Sequence, residues 1–137
     1  MERKWTPMEL IGDLYCENMR VLTDHRLLSL WMLRLCQIIG MTPVGKPIIE
    51  DYPWPGGTEG APSVCLFLQE SSITVHVYPE FDYLFLNVFS CKAFDPTKAK
   101  DFIKRSLKVR NATYHVLQRG LDLETRQPLR LKFLEVT

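Results

Sequence analysis

A chain of 137 residues, 46% of them hydrophobic, is long enough for one domain (residues 1–137) with a single core. The formal net charge of +1 argues against nucleic acid or an acidic membrane surface as the main partner. The four cysteines lack the spacing of a metal site, and no signal peptide or membrane-spanning run is visible, so we expect free thiols in a reducing cytoplasm and no bound metal.

Apolar or alternating stretches predict the strands of one sheet. They cover residues 8–16, 41–50, 63–68, 71–78, 83–91 and 112–117, with an edge strand over 129–136. Residues 51–62 contain three prolines and three glycines, which predicts a loop. Residues 120–137 are interpreted as a C-terminal extension of the domain.

Two helices are predicted from their caps and their apolar periodicity. Asp24 is a candidate N-cap for an apolar helix over 27–39, which Gly40 ends. Asp95 and Pro96 begin a second helix with one apolar stripe, and it runs to residue 107. The order strand, helix, strands, helix, strand is typical of an α+β two-layer sandwich, an antiparallel sheet with helices on one face.

The stretch 63–78 predicts a hairpin whose two faces differ. Its strands flank Gln69-Glu70, which is the length of a two-residue turn. One face then holds the apolar pairs Leu66–Ile73 and Val64–Val75, with Leu68 opposite Ser71, and the other holds Ser63–His76, Cys65–Thr74 and Phe67–Ser72. The second face carries hydroxyls, a thiol and an imidazole, so we expect chemistry there.

Chemically distinct residues stand at fixed offsets around this hairpin. Glu70-Ser71 is followed by Ile73, Val75, His76, Pro79 and Glu80, with Ser63 eight residues before Ser71 and Cys91 fifteen after His76. This pattern resembles the processing segment of the small prokaryotic S-adenosylmethionine decarboxylase proenzymes. Residues 10–16 also resemble the first strand of that family, so the resemblance covers about residues 8–120. Ser72, where the family usually has histidine, and Lys92, where it commonly has glycine, depart from the pattern.

The resemblance implies a cofactor that the chain makes from itself. The Ser71 hydroxyl would attack the Glu70 carbonyl, and the resulting ester would eliminate and hydrolyse to leave a pyruvoyl group on residue 71. That group would form a Schiff base with a substrate amine and accept electrons as carbon dioxide leaves. The implied function is decarboxylation of S-adenosylmethionine for polyamine synthesis.

The resemblance also assigns catalytic roles. His76 would remove the proton that triggers elimination, and Ser63 would polarise the oxyanion during processing. Cys91 would return a proton to the decarboxylated carbon.

Candidate substrate contacts follow the hairpin or precede it. The resemblance implies that Glu80 binds the ribose hydroxyls of the substrate. Tyr78 and Trp54 could supply aromatic faces for its adenine. For Trp54, a buried indole that anchors the 51–62 loop is an equally good interpretation.

Two of the candidate catalytic residues, Ser71 and His76, are predicted to lie far apart within one chain. Ser71 and His76 are five residues apart on one predicted strand, about 16 Å, and their side chains point to opposite faces. The resemblance implies a homodimer in which serine 71 and Cys91 of one protomer meet His76 and Ser63 of the other. We therefore expect a second copy to cover the sheet face that the helices leave open.

Two alternatives remain open at this point. Ser72 and Lys92 are compatible with a pocket for another amino acid, ornithine or arginine, whose distal cation would need an acidic group such as Asp82 or Glu59. Alternatively, the chain does not cleave itself and acts as a non-catalytic regulatory partner of an active homologue.

Overall fold

The computed structural model describes residues 6–53, 55–57, 60–128 and 132–134, the last three as backbone only. The helices are α1 (Met19–Thr23), α2 (His25–Ile38) and α3 (Pro96–Leu107). The strands are β1 (Met8–Cys16), β2 (Pro43–Tyr52), β3 (Ala61–Leu68), β4 (Ser71–Tyr78), β5 (Tyr83–Ser90), β6 (Val109–Gln118) and β7 (Lys132–Leu134). They form one antiparallel sheet in the order β2-β3-β4-β5-β1-β6-β7. The predicted α+β sandwich is confirmed.

The predicted helix signals are confirmed. The Asp24 carboxylate accepts the Leu27 N–H at 3.0 Å, and the Asp95 carboxylate accepts the Thr97 N–H at 2.9 Å, so each helix has a side-chain N-cap. Gly40 follows α2 with a positive φ of 70°, the conformation that ends many helices. The short helix α1 was not predicted, and the side chain at its N-cap, Asn18, donates to the Ser106 carbonyl at 3.0 Å and does not cap the helix.

Several strand boundaries differ from the predictions. The 51–62 loop is shorter than predicted, because Tyr52 and Ala61 still pair in the sheet. The 41–50 strand starts later, at Pro43, and its pairing shifts beyond Val44, next to Gly45, whose φ is 72°. The 112–117 strand is longer in both directions. Of the predicted 129–136 edge strand, 132–134 pair with β6, and the rest lies outside the described residues.

The two long helices pack on one sheet face and on each other. The core lies between them and the sheet, and it includes Leu28 and Leu35 of α2, Ile103 of α3, and Ile73 and Val75 of β4. Trp31 of α2 stacks on Phe102 of α3 with ring centroids 5.8 Å apart, and its Nε1–H donates to Ser106 Oγ at 2.8 Å. The indole therefore links the two helices by both packing and a hydrogen bond.

Replacing Trp31 by phenylalanine is expected to lower the free energy of unfolding by about 1–2 kcal/mol, since it removes a nearly buried hydrogen bond and part of the ring. Chemical denaturation measures the change. Leu30→Ala is the matched control on the same helix, because Leu30 is 53% exposed and its loss should change stability by less than about 0.5 kcal/mol. Equal effects of the two substitutions would contradict this account of the helix pair.

The opposite sheet face is covered by no helix in the described part of the chain, and we call it the open face. Along each strand its residues alternate with those of the core. They are Ser63, Cys65 and Phe67 on β3; Ser72, Thr74, His76 and Tyr78 on β4; Tyr83, Phe85, Asn87 and Phe89 on β5; and Glu9, Ile11, Asp13 and Tyr15 on β1. Phe67 is 53% exposed and Phe85 is 44% exposed, so large apolar groups face outward in this single chain. Among the described residues, no helix is long and apolar enough to span a bilayer.

Candidate active site

The β3–β4 register places a serine beside a histidine. Ser63 and His76 are direct partners in the ladder, as predicted, and Ser63 Oγ lies 2.9 Å from His76 Nδ1. When Nδ1 carries the proton and donates it to Ser63, Nε2 is the nitrogen left to accept a proton. The pair is therefore built to hold an exposed imidazole in the orientation that a general base needs.

A second group of residues gathers at the β3–β4 turn. Gln69 and Glu70 form the predicted two-residue turn, and Ser71 begins β4 opposite Ser90 of β5. The residue after Ser90 is Cys91, whose N–H donates to the Glu70 carbonyl oxygen at 2.8 Å. We call Glu70, Ser71 and Cys91 the cleavage cluster.

The hydrogen bond to the Glu70 carbonyl was not predicted. It polarises the carbonyl whose carbon the Ser71 hydroxyl would attack, and it would stabilise negative charge on that oxygen. Sequence reasoning assigned oxyanion polarisation to Ser63 of the other protomer, and that assignment stays a prediction. The Cys91 backbone could be found only from the β4–β5 register, because a backbone N–H has no signature in the sequence.

The two groups do not meet within one chain. Ser71 has the same parity along β4 as the core residue Ile73, whereas His76 lies on the open face. The five steps between them span about 16 Å of strand. The described chain thus carries a complete cleavage cluster at one end of β4 and a complete Ser63–His76 pair toward the other end.

Aromatic side chains surround the end of β4 beyond His76. Tyr78 contacts Phe85 edge to face with ring centroids 5.6 Å apart, and Tyr83 contacts Phe85 at 4.9 Å and Tyr15 at 4.8 Å. These rings lie along an open apolar cavity of about 510 Å³, lined by Tyr15, Pro55, Tyr78, Phe81, Tyr83 and Phe85. Such a surface suits a flat ring. We call it the aromatic cavity.

Of the predicted substrate contacts, Tyr78 lines this cavity. Glu80 precedes the lining residue Phe81 in a short 3-10 turn. Trp54 lies outside the described residues, as does Glu59, so neither prediction is tested. Tyr15 was missed, because only the β1–β5 pairing, between strands far apart in sequence, brings it to Tyr83.

Asp82, the other acidic candidate, lines a separate cavity of about 480 Å³. The same cavity holds an ion pair in which the Arg110 guanidinium donates to the Glu17 carboxylate. Because the Arg110 charge is paired with Glu17, the Asp82 carboxylate leaves the lining of this cavity with a net negative charge.

The four thiols differ in their surroundings. All four cysteines are free, and burial, followed by the nearby Asp82 carboxylate, raises the pKa of Cys16 to about 11. Burial also raises the pKa of Cys65. Both stay protonated at neutral pH and are poor nucleophiles. Cys91 is the thiol that lies in the cleavage cluster. Within the described residues, no three potential ligands gather as a metal site would require.

Comparison with known proteins points to one family. Residues 8–120 match the family model described as S-adenosylmethionine decarboxylase. The chain is 33% identical over 116 residues to the S-adenosylmethionine decarboxylase proenzyme of Sulfurisphaera tokodaii, covering 83% of this chain and 88% of that protein. It is 29% identical over 112 residues to the arginine decarboxylase proenzyme of Aeropyrum pernix, covering 81% of this chain and 82% of that protein.

The fold is also similar to a solved structure. The crystal structure of the adenosylmethionine decarboxylase from Aquifex aeolicus VF5 matches with a TM-score of 0.68 at 20% sequence identity. The match covers 89% of this chain and 97% of that one, so the sheet and helices described above are a known arrangement.

Proposed function

Because the chain belongs to the S-adenosylmethionine decarboxylase family, we propose that it cuts itself between Glu70 and Ser71 and then decarboxylates S-adenosylmethionine. The product would supply aminopropyl groups for polyamine synthesis. One observation carries the proposal: the Glu70 carbonyl, next to Ser71, already accepts the Cys91 N–H at 2.8 Å. That contact prepares this peptide bond for attack by the neighbouring hydroxyl.

The proposed cleavage takes up one water and releases one ammonia. Ser71 Oγ attacks the Glu70 carbonyl carbon, the peptide C–N bond breaks, and an ester joins the two residues. A base removes the Cα proton of residue 71, and the Glu70 carboxylate leaves as the C–O bond breaks. Water then replaces the amino group of residue 71, which departs as ammonia, and a pyruvoyl group remains. The pieces are residues 1–70 and 71–137.

The cleavage cluster fits such a group. When formed, the group supplies an electron sink for the carbon that loses carbon dioxide. Ser71 is only partly exposed at the start of β4, where the sheet holds its backbone against β5. Cys91 follows Ser90, the ladder partner of Ser71, and its thiol would donate the proton that the decarboxylated carbon requires.

The active unit in this proposal is a homodimer. The base for the Cα proton is His76, held by Ser63, and it lies on the other face of the sheet from Ser71 in the same chain. A second copy packed on the open face would place its own His76 over the start of β4 in the first, where it could approach the Cα of residue 71 from the face opposite the Ser71 side chain. It would also cover exposed apolar groups such as Phe67 and Phe85.

The aromatic cavity supports S-adenosylmethionine as the substrate. Its rings, Tyr78 among them, offer faces and edges for an adenine, and a sulfonium cation is attracted to the same π faces. Glu80, next to the lining residue Phe81, would accept hydrogen bonds from ribose hydroxyls. Both substrate contacts and His76 lie toward the same end of β4, so the same protomer would supply them.

Glu80→Gln is expected to raise KM for S-adenosylmethionine about tenfold and to leave kcat nearly unchanged. The reason is that an acceptor for neutral hydroxyls is worth about 1–3 kcal/mol of binding and takes no part in the chemistry. Initial rates of carbon dioxide release at varied substrate concentration measure both constants. Glu124→Gln, a change of the same type in the C-terminal extension, is the control. A kcat loss with unchanged KM would contradict the ribose-binding role.

Arginine is the second candidate substrate, favoured by the similarity to the arginine decarboxylase proenzyme of Aeropyrum pernix. A guanidinium needs an acidic partner, and Asp82 is a candidate, since Arg110 in the same cavity is already paired with Glu17. Carbon dioxide release from S-adenosylmethionine, arginine and ornithine under the same conditions decides between them. Release from arginine or ornithine alone would overturn the proposed substrate and keep the proposed cofactor.

A further inference from the structure

The carboxylate of Glu70, like its carbonyl, is in contact with other segments of the chain. The side chain is only 11% exposed, and Oε2 accepts the Thr42 N–H at 3.2 Å. Oε1 lies 3.6 Å from the ammonium of Lys92, which also donates to the Gly40 carbonyl at 3.4 Å. Beside these contacts, the Gln69 N–H donates to the Thr42 carbonyl at 2.9 Å.

These contacts join three segments at the scissile bond. Gly40 and Thr42 belong to the connection between α2 and β2, Glu70 belongs to the β3–β4 turn, and Lys92 follows β5. The Lys92 backbone is itself fixed, since its N–H donates to the Ser90 side chain at 3.1 Å. The lysine therefore extends from an anchored backbone to the carboxylate of the residue that precedes the cut.

On the basis of the proposed self-cleavage, we propose that Lys92 is a positioning residue for that step. By holding the Glu70 carboxylate, it keeps the two-residue turn in the orientation in which the Glu70 carbonyl meets the Cys91 N–H. Lys92 touches no reacting atom and acts through Glu70. Because the lysine head is half exposed, its pairing should matter more for the geometry of the turn than for the stability of the fold.

The test compares cleavage rates of matched variants. Lys92→Met keeps most of the length of the side chain and removes its charge, and misplacement of the turn should slow cleavage about tenfold. Lys92→Arg restores a cation and should cleave within about threefold of the wild-type rate. Lys104→Met, the same change on the exposed side of α3, should have no effect. Newly synthesised chains are followed by intact mass, and a melting temperature for each variant reports whether it folds.

A double substitution separates positioning from a general structural effect. Glu70→Gln keeps an acceptor for Thr42 but removes the charge that Lys92 pairs with, so in this background Lys92→Met should change the rate less than about twofold. Cleavage of Lys92→Met at the wild-type rate would overturn the positioning role of Lys92. Cleavage of the folded Lys92→Arg as slow as that of Lys92→Met would do the same. Either result would leave the proposed self-cleavage intact. A wild-type chain that stays intact would overturn the proposed function, and this inference with it.

Discussion

Ser71→Ala is expected to remain a single chain of full length and to release no carbon dioxide above background. Alanine has no hydroxyl to attack the Glu70 carbonyl, so neither the ester nor the pyruvoyl group can form. Intact-mass measurement and the decarboxylation assay check the two expectations. The fold should be retained, since Ser71 is a small side chain at the start of β4.

The control for this variant is Ser72→Ala. Ser72 is the adjacent residue and carries the same hydroxyl, but it lies on the open face opposite Phe67. It should still be cut between residues 70 and 71. Cleavage of Ser71→Ala together with an intact Ser72→Ala would move the cleavage site by one residue and contradict the assigned serine.

Co-expression of two inactive variants, His76→Ala and Ser71→Ala, is expected to restore cleavage of the His76→Ala chains. His76→Ala chains keep Ser71 but lack the base, and Ser71→Ala chains keep His76. In a heterodimer, His76 of one chain completes the site around Ser71 of the other, so cleaved His76→Ala chains should appear. With random pairing at equal amounts, about half of the His76→Ala chains would be cut. Every Ser71→Ala chain should stay whole.

Co-expression with two different tags, followed by native mass spectrometry, shows that heterodimers have formed. His115→Ala, a change at an exposed histidine of β6, is the control and should be cleaved when it is expressed alone. Heterodimers in which His76→Ala chains remain intact would contradict a site built from two protomers. Cleavage of His76→Ala on its own would contradict the role of His76 as the base.

Local features of the fold could be predicted from the sequence because each depends on a few neighbouring residues. The caps at Asp24 and Asp95 need only an acidic side chain before an apolar helix. The two-residue turn at Gln69-Glu70 determines the register of the whole hairpin, and that register pairs Ser63 with His76.

Features that depend on distant pairings could not be predicted. The donor to the Glu70 carbonyl comes from Cys91 by way of the β4–β5 register, and the Glu70 carboxylate is held by Thr42 from the α2–β2 connection. Tyr15 joins the aromatic cavity only because β1 pairs with β5. These strand pairings and registers depend on how the whole sheet packs against the helices, and no short stretch of sequence determines them.

Self-cleavage is tested by the mass of the purified wild-type protein before and after treatment with hydroxylamine. We expect two pieces, 1–70 and 71–137, whose summed mass equals that of the intact chain plus water minus ammonia. Hydroxylamine should add to the 71–137 piece alone, because only its first residue carries a ketone. A single intact chain after long incubation, or two pieces in which residue 71 keeps a free amine, would contradict the account.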